Sequence, residues 1–220
     1  MEKFEEKLKS VGNAEFPVVE IFNSIQGEGF FAGRCATFIR LAGCNLKCSF
    51  CDTDHSPKMG EMSIRDIVEK INGISGENLP RLIVVTGGEP TIHEKLDALF
   101  FVLKHIFKSP DLAIETNGTN PLMLFRLKTL GICDLITVSP KGNNTSREIL
   151  DSIMASDEVK IVLCEGAKPN IYEHVMAKHF QYHTAFIQAC SENYAPVIEF
   201  LKSNPKWRLS VQIQKIIGVL

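Results

Sequence analysis

Three cysteines crowd into one short stretch of this chain, RLAGCNLKCSFC over residues 40–51, as Cys44, Cys48 and Cys51. Their C-x3-C-x2-C spacing lets three thiolates wrap a single compact inorganic core. A [4Fe–4S] cube offers four iron corners, and electron-transfer clusters fill all four with cysteine. Three thiolates leave one iron open to a small molecule. Structural zinc wants four ligands, and His55 or Cys35 could supply the fourth; reduced, unligated thiols are a third reading. Cys35, Cys133, Cys164 and Cys190 stand alone and read as buried small apolar residues. An odd set of seven, with three in one loop, is not the dispersed disulfide framework of a small secreted chain.

The elements that must position this loop alternate between strands and helices. Strands are expected at Val18–Phe22, Ala36–Leu41, Leu82–Thr86, Leu112–Thr116, Leu135–Ser139, Val159–Leu163, Thr184–Gln188 and Arg208–Gln212. Several are continuous apolar runs, as in strands covered on both faces. Helices are expected at Ser63–Ile74, Lys95–Phe107, Pro121–Leu130, Ser146–Met154, Ile171–Phe180 and Tyr194–Ser203. The alternation implies parallel βαβ units. Helices on one face would give an open barrel and helices on both a doubly wound sheet; the pattern leaves both open. Polar and glycine-rich residues follow the strands: the cysteine loop, Gly87–Gly88–Glu89–Pro90, Asn117–Gly118, Ser139–Pro140–Lys141–Gly142 and Gln188. In parallel α/β folds ligands bind at that edge, so these loops are expected to converge on one site.

Composition narrows the partners. Lys and Arg total 24 against 26 Asp and Glu, a net charge of −2 in 220 residues, which argues against a phosphate-backbone partner. No apolar run approaches the roughly 20 residues that span a bilayer. The opening MEKFEEKLKSVGNAEF mixes charges and has no apolar h-region of a secretory signal. A single domain over 1–220, with 1–16 as an N-terminal extension, a cytoplasmic location and no membrane or nucleic-acid partner are the expectations.

The cysteine spacing, with Phe50 before the last cysteine, resembles the radical S-adenosylmethionine (SAM) superfamily. TGGEP over 86–90 resembles that superfamily's glycine motif, in which backbone at the second glycine, Gly88, contacts the methionine amino group. The resemblance narrows upstream. EIFNSIQGEG (20–29), with GCNLKCSFCDTDH (43–55), ETNGT (115–119), VSPK (138–141) and RLSVQIQK (208–215), is similar to the 7-carboxy-7-deazaguanine synthase family over most of the chain. It implies a modified, incomplete (β/α) barrel of the radical SAM type, a homodimer and a [4Fe–4S] cluster. The open iron would bind SAM, whose one-electron cleavage gives a hydrogen-abstracting radical. The implied substrate is 6-carboxy-5,6,7,8-tetrahydropterin, whose ring contracts with loss of ammonia to 7-carboxy-7-deazaguanine, a precursor of queuosine and other 7-deazapurines. Mg²⁺ and a flavodoxin-like electron donor are implied partners.

Residue roles follow by the same resemblance. Cys44, Cys48 and Cys51 hold the cluster and Thr53 the Mg²⁺. Gly88, Ser139, Pro140, Lys141, Gln188, Ala189, Cys190 and Ser191 contact SAM. Ile25, Gln26, Gly27, Glu28, Arg40, Thr86 and Leu220 contact substrate. Arg40 suits the substrate carboxylate, because a planar guanidinium pairs bidentately with it, and Glu28 suits ring N–H donors. Glu115 reads either as a site carboxylate or as a solvated strand end. Two positions depart from the family pattern: Gln214, where some relatives carry His, and Ala189–Cys190–Ser191, where a Pro-containing loop is usual. A glycyl-radical-activating enzyme, which shares short GCNL loops, and a non-catalytic zinc or iron–sulfur protein are the rival readings.

Overall fold

The computed structural model describes residues 14–49, 51, 53–76, 78–141, 146–163, 184–190 and 193–219. The expected helix Ile171–Phe180, and Phe50, Asp52, Cys164, Ser191 and Leu220, lie outside the described residues. The strands are β1 (Glu15–Ile25), β2 (Cys35–Leu41), β3 (Gly60–Ser63), β4 (Leu82–Gly87), β5 (Asp111–Thr116), β6 (Leu135–Val138), β7 (Glu158–Leu163), β8 (Thr184–Ala189) and β9 (Arg208–Ser210). The helices are α1 (Ile64–Ser75), α2 (Leu96–Ile106), α3 (Pro121–Thr129), α4 (Arg147–Ala155), α5 (Ala195–Ser203) and α6 (Ile213–Ile216). One sheet runs β3-β1-β2-β4-β5-β6-β7-β8-β9. β1 is antiparallel to both neighbours, and every pairing from β2 onward is parallel.

Helix starts follow the capping signals. Ser63 accepts from the Asp66 backbone N–H while Asp66 reaches back to Ser63, a full capping box. Asn120 caps α3 just before Pro121, where the missing N–H costs nothing. Ser146 caps α4. The buried faces are those expected from helical spacing, such as Ile64, Ile67, Val68 and Ile71 of α1.

Burial decides between the two architectures left open by the sequence. The buried residues of α1 to α5 share one core with Ile39, Ile83, Val85, Ile114, Ile136, Val159 and Ile187 from one face of the sheet. The other face carries a separate cluster of Ala36, Phe38, Leu82, Val84, Ala113 and Leu135, with Phe22 and Phe31 packed on it and no helical residue. Helices α1 to α5 therefore cover one face, the short α6 lies at the cavity on the other, and the sheet is an incomplete barrel.

Three elements were not legible beforehand. β3, Gly60–Glu–Met–Ser63, has no apolar alternation and exists through its pairing with Glu15–Val18 of β1. A 3-10 turn, Pro90–Ile92, stands where a loop was expected. The last expected strand stops at Ser210, because the Ile213 N–H bonds to Gly27 O at 3.3 Å and draws the tail off the sheet edge into α6.

Successive βα units are joined by one repeated clasp. The Asp134 carboxylate takes the Leu112 N–H of β5 at 2.7 Å and the Lys104 ammonium of α2 at 2.5 Å. The Asp157 carboxylate likewise takes Ile136 of β6 at 2.8 Å and Lys128 of α3 at 3.0 Å. Asp134→Ala removes an acceptor from two donors far from the inner face. It should lower unfolding stability in urea by about 1–3 kcal/mol; a loss under about 0.5 kcal/mol would show that the clasp carries no weight.

Candidate active site

Period-two alternation and in-register pairing write two rows across the inner face. Phe22, Phe38, Val84, Ala113 and Leu135 lie side by side by register, an apolar row. Two residues along, Glu20 pairs with Arg40, Arg40 with Thr86, Glu115 with Thr137 and Thr137 with Glu158, a polar row. The polar row is bonded in three pairs. Glu20 accepts from Arg40 Nε at 2.8 Å, Glu115 from the Thr86 hydroxyl at 2.9 Å, and Glu158 from the Thr137 hydroxyl at 2.7 Å. Glu115 also accepts from Gln26 Nε2 at 3.1 Å, so it is a site carboxylate and not a solvated strand end.

Above this row the loops at the C-terminal strand ends enclose a cavity of about 640 Å³. Cys44, Cys48, Cys51, Thr53, Gly88, Ser139, Lys141, Gln188, Ala189 and Cys190 all line it, as do Ile25, Gln26, Gly27, Glu28, Arg40 and Thr86. Pro140 is buried between Ser139 and Lys141. Ser191 and Leu220 lie outside the described residues.

The cysteine loop is fastened at three points. The Gly43 N–H bonds to His55 O at 3.1 Å, closing the loop on itself. Asn45 accepts from Asn117 at 3.0 Å and donates to Thr119 at 2.7 Å, tying it to the loop after β5. Gly88 lets it sit directly on the loop after β4: a Cβ there would lie 1.9 Å from Gly43 O and 2.9 Å from Cys44 Cβ. Glu89 of the same motif is not a ligand group. Fully buried, it accepts from Thr91 N–H at 3.0 Å, Thr116 hydroxyl at 2.6 Å and Asn117 N–H at 2.6 Å, welding the loop to β5.

All three thiols are free, and His55 Nε2 lies 3.2 Å from Cys51 Sγ. Burial pushes the Cys48 thiol above its ordinary value, opposed by the Lys141 ammonium. Cys35 cannot complete a zinc site with them. It opens β2, seven residues and about 20 Å of strand from the loop. The expectation of buried lone cysteines fails for Cys35 and Cys190, both exposed, the latter because β8 ends at the cavity. Three thiols on one loop, all lining one cavity, are the donor set of a cluster with one open iron, although among the described residues no three such donors are gathered closely enough to hold a metal ion.

The opposite end of the cavity is closed by a turn that pattern could not place. β1 is antiparallel to β2, so residues 26–34 emerge at the far ends of the parallel strands and fold up beneath the inner face. Gln26 and Arg34 close the turn through a 2.8 Å backbone bond, and Phe31 packs on the apolar row. Glu158 anchors it by accepting from the Phe30 N–H at 2.8 Å. Glu28 is ion-paired with Lys160 and accepts from Gln212 at 3.0 Å and Gln214 at 3.4 Å. A side chain at Gly27 would meet Gln214 Oε1 at 1.6 Å, so the C-terminal segment docks against bare backbone. Burial works to raise the Glu28 carboxyl, but the Lys160 ammonium and these hydrogen bonds outweigh it and hold it below the usual value. Lys141 donates to Ser139 Oγ at 2.9 Å; burial and then Lys160 push it down.

Sequence reasoning passed over Lys160, Glu158 and Gln212. The signal was present: two charges two residues apart inside an apolar strand put both on one buried face, where charges are paired or functional.

Fold and cavity together define a radical SAM protein, and the chain belongs to the radical SAM superfamily, whose family model matches residues 38–163. Curated relatives narrow the class. A 7-carboxy-7-deazaguanine synthase of Bacteroides thetaiotaomicron is 40% identical over 91% of this chain and 96% of its own. One of Neisseria meningitidis is 34% identical over 94% and 95%. The crystal structure of QueE from Escherichia coli superposes with a TM-score of 0.73 at 27% identity, covering 94% of this chain and 98% of that one. Within the superfamily, the chain belongs to the 7-carboxy-7-deazaguanine synthase family.

Gly88→Ala tests the loop-on-loop contact. The clash with the Gly43 carbonyl should displace the cysteine loop and cost about 1–3 kcal/mol of stability. Iron bound per chain after anaerobic reconstitution should fall in parallel; full iron content at unchanged stability would contradict the packing described.

Proposed function

We propose that this chain is a radical SAM lyase that converts 6-carboxy-5,6,7,8-tetrahydropterin to 7-carboxy-7-deazaguanine with loss of ammonia, in queuosine and 7-deazapurine synthesis. The observation that carries the reading is convergence: the cysteine loop, the Gly88 backbone, Lys141 and the Gln26–Glu28 turn all line one cavity inside an open barrel. Cys44, Cys48 and Cys51 would hold a [4Fe–4S] cluster. Bound there, the cluster and SAM supply the one-electron chemistry that makes a hydrogen-abstracting radical; that chemistry belongs to the cofactors.

The protein's own work is placement. Gly88 would present backbone to the methionine end of SAM, while Ser139, Pro140, Lys141, Gln188, Ala189 and Cys190 would surround the nucleoside end, with Ser191 assigned to it by the family resemblance alone. Arg40, its plane fixed by Glu20, faces the substrate carboxylate. Ile25, Gln26, Gly27, Glu28 and Thr86 would surround the heterocycle, with Leu220 assigned to it by the family resemblance alone. Thr53 would offer its oxygen to a Mg²⁺, a hard cation suited to oxygen ligands. The apolar row and the turn beneath exclude water from the reacting ring. A floor closed in this way suits a small ring better than the protein loop a glycyl-radical activator must admit. A flavodoxin-like donor, a homodimer and a cytoplasmic location complete the proposal.

The test is anaerobic incubation of reconstituted protein with SAM, the carboxylated pterin, Mg²⁺ and a reductant. 7-Carboxy-7-deazaguanine should form, and each of Cys44→Ala, Cys48→Ala and Cys51→Ala should abolish it together with the visible absorbance of the cluster. Intact SAM cleavage without deazaguanine would overturn the substrate assignment. Stoichiometric zinc without iron would overturn the radical reading.

A further inference from the structure

Lys160 puts an ammonium in the middle of β7, on the inner face, at 8% exposure. Burying such a group is costly unless it is matched. Here Glu28 pairs with it, and Glu115 and Glu158 stand near enough to act on it. The sheet does not need the pair, since β7 is held to β8 through its backbone register. An apolar pair of similar volume would be neutral or stabilising at such a place. Retaining charge there, on the floor of a binding cavity, points to use. The two Glu28 oxygens are engaged unequally. Oε2 is taken by Lys160, whereas Oε1 accepts amide donors at 3.0 Å and 3.4 Å, the second a long bond.

We propose that Lys160 is a positioning residue for the heterocyclic substrate, holding Glu28 ionised and fixed in orientation so that its carboxylate accepts the ring N–H and amino groups. The proposal rests on the reading of the cavity under Proposed function. It predicts a specific pH signature. The charged groups around the pair are Glu115 on β5, Glu158 on β7 and Lys141 after β6; Gln212 and Gln214 on the C-terminal segment are neutral. With Lys160 present the Glu28 carboxyl stays below its usual value, so it remains charged throughout the neutral range. Without Lys160, burial dominates and the carboxyl rises; its charge, and the affinity it confers, is then lost as pH falls.

The test is anaerobic equilibrium dialysis of the SAM-loaded, reconstituted enzyme against 6-carboxy-5,6,7,8-tetrahydropterin, with steady-state KM and kcat alongside. Lys160→Met should raise Kd and KM about tenfold or more near neutral pH, with kcat within about threefold. The defect should deepen toward acid, where wild type stays flat. Lys160→Arg should recover most of the affinity, because it restores the buried cation. Glu28→Gln combined with Lys160→Met removes both charges of the ion pair together, so it remains measurable if Lys160→Met fails to fold, and it should bind no more weakly than Glu28→Gln alone. Unchanged, pH-independent binding by Lys160→Met, no recovery in Lys160→Arg, or a double variant weaker than Glu28→Gln by the full Lys160→Met factor would each overturn the proposal. Wild type that binds the pterin without converting it would overturn the synthase activity while the Kd series still decides the role of Lys160. Wild type that does not bind it overturns both.

Discussion

Parallel strands paired in register, each alternating its side chains between two faces, are the constraint on which the rest of this molecule depends. The register alone lines Arg40 up with Thr86, Glu115 with Thr137 and Thr137 with Glu158, one polar residue per strand at one height. A slip of one residue on any strand would turn its polar member into the helix-packed core and an Ile or Val into the cavity. The apolar row two residues away locks the register, because Phe38, Val84, Ala113 and Leu135 are buried against one another. Packing thus enforces the placement of chemistry that contributes little to packing.

The same logic explains how the two ends of the cavity come to face each other. The parallel strands deliver the cysteine loop, Gly88, Ser139 and Gln188 at their C-terminal ends. β1, which runs against its neighbours β2 and β3, delivers Gln26–Glu28 at the other. Glu158 and Lys160, two residues apart on β7, receive that turn, one through the Phe30 backbone and the other through Glu28. Neighbouring buried groups of opposite charge then set each other's protonation, with Glu28 held low and Lys160 held high against the pull of burial.

Family motifs acquire structural reasons in this setting. The Gly-Gly-Glu-Pro motif divides its labour: Gly88 permits close approach of the cysteine loop, while Glu89 collects donors from its own loop and from β5. The motif is therefore partly architecture, with the Glu89 carboxylate tying the loop after β4 to β5.

The sequence by itself determined the cysteine loop, the glycine motif and the eight main strands. Each is a local signal: ligand spacing, turn chemistry, or an apolar run long enough to be a strand. It also determined the helix starts at Ser63, Pro121 and Ser146, since caps act within one turn. Only tertiary structure decided that helices α1 to α5 take one face, that β3 pairs on the edge of β1, that the tail leaves the sheet after Ser210, and that Glu28 meets Lys160 across the barrel. These depend on contacts between residues far apart in the chain, such as the 132-residue separation of Glu28 and Lys160. Local periodicity can show that a charge in β7 is buried, but not which distant carboxylate will meet it.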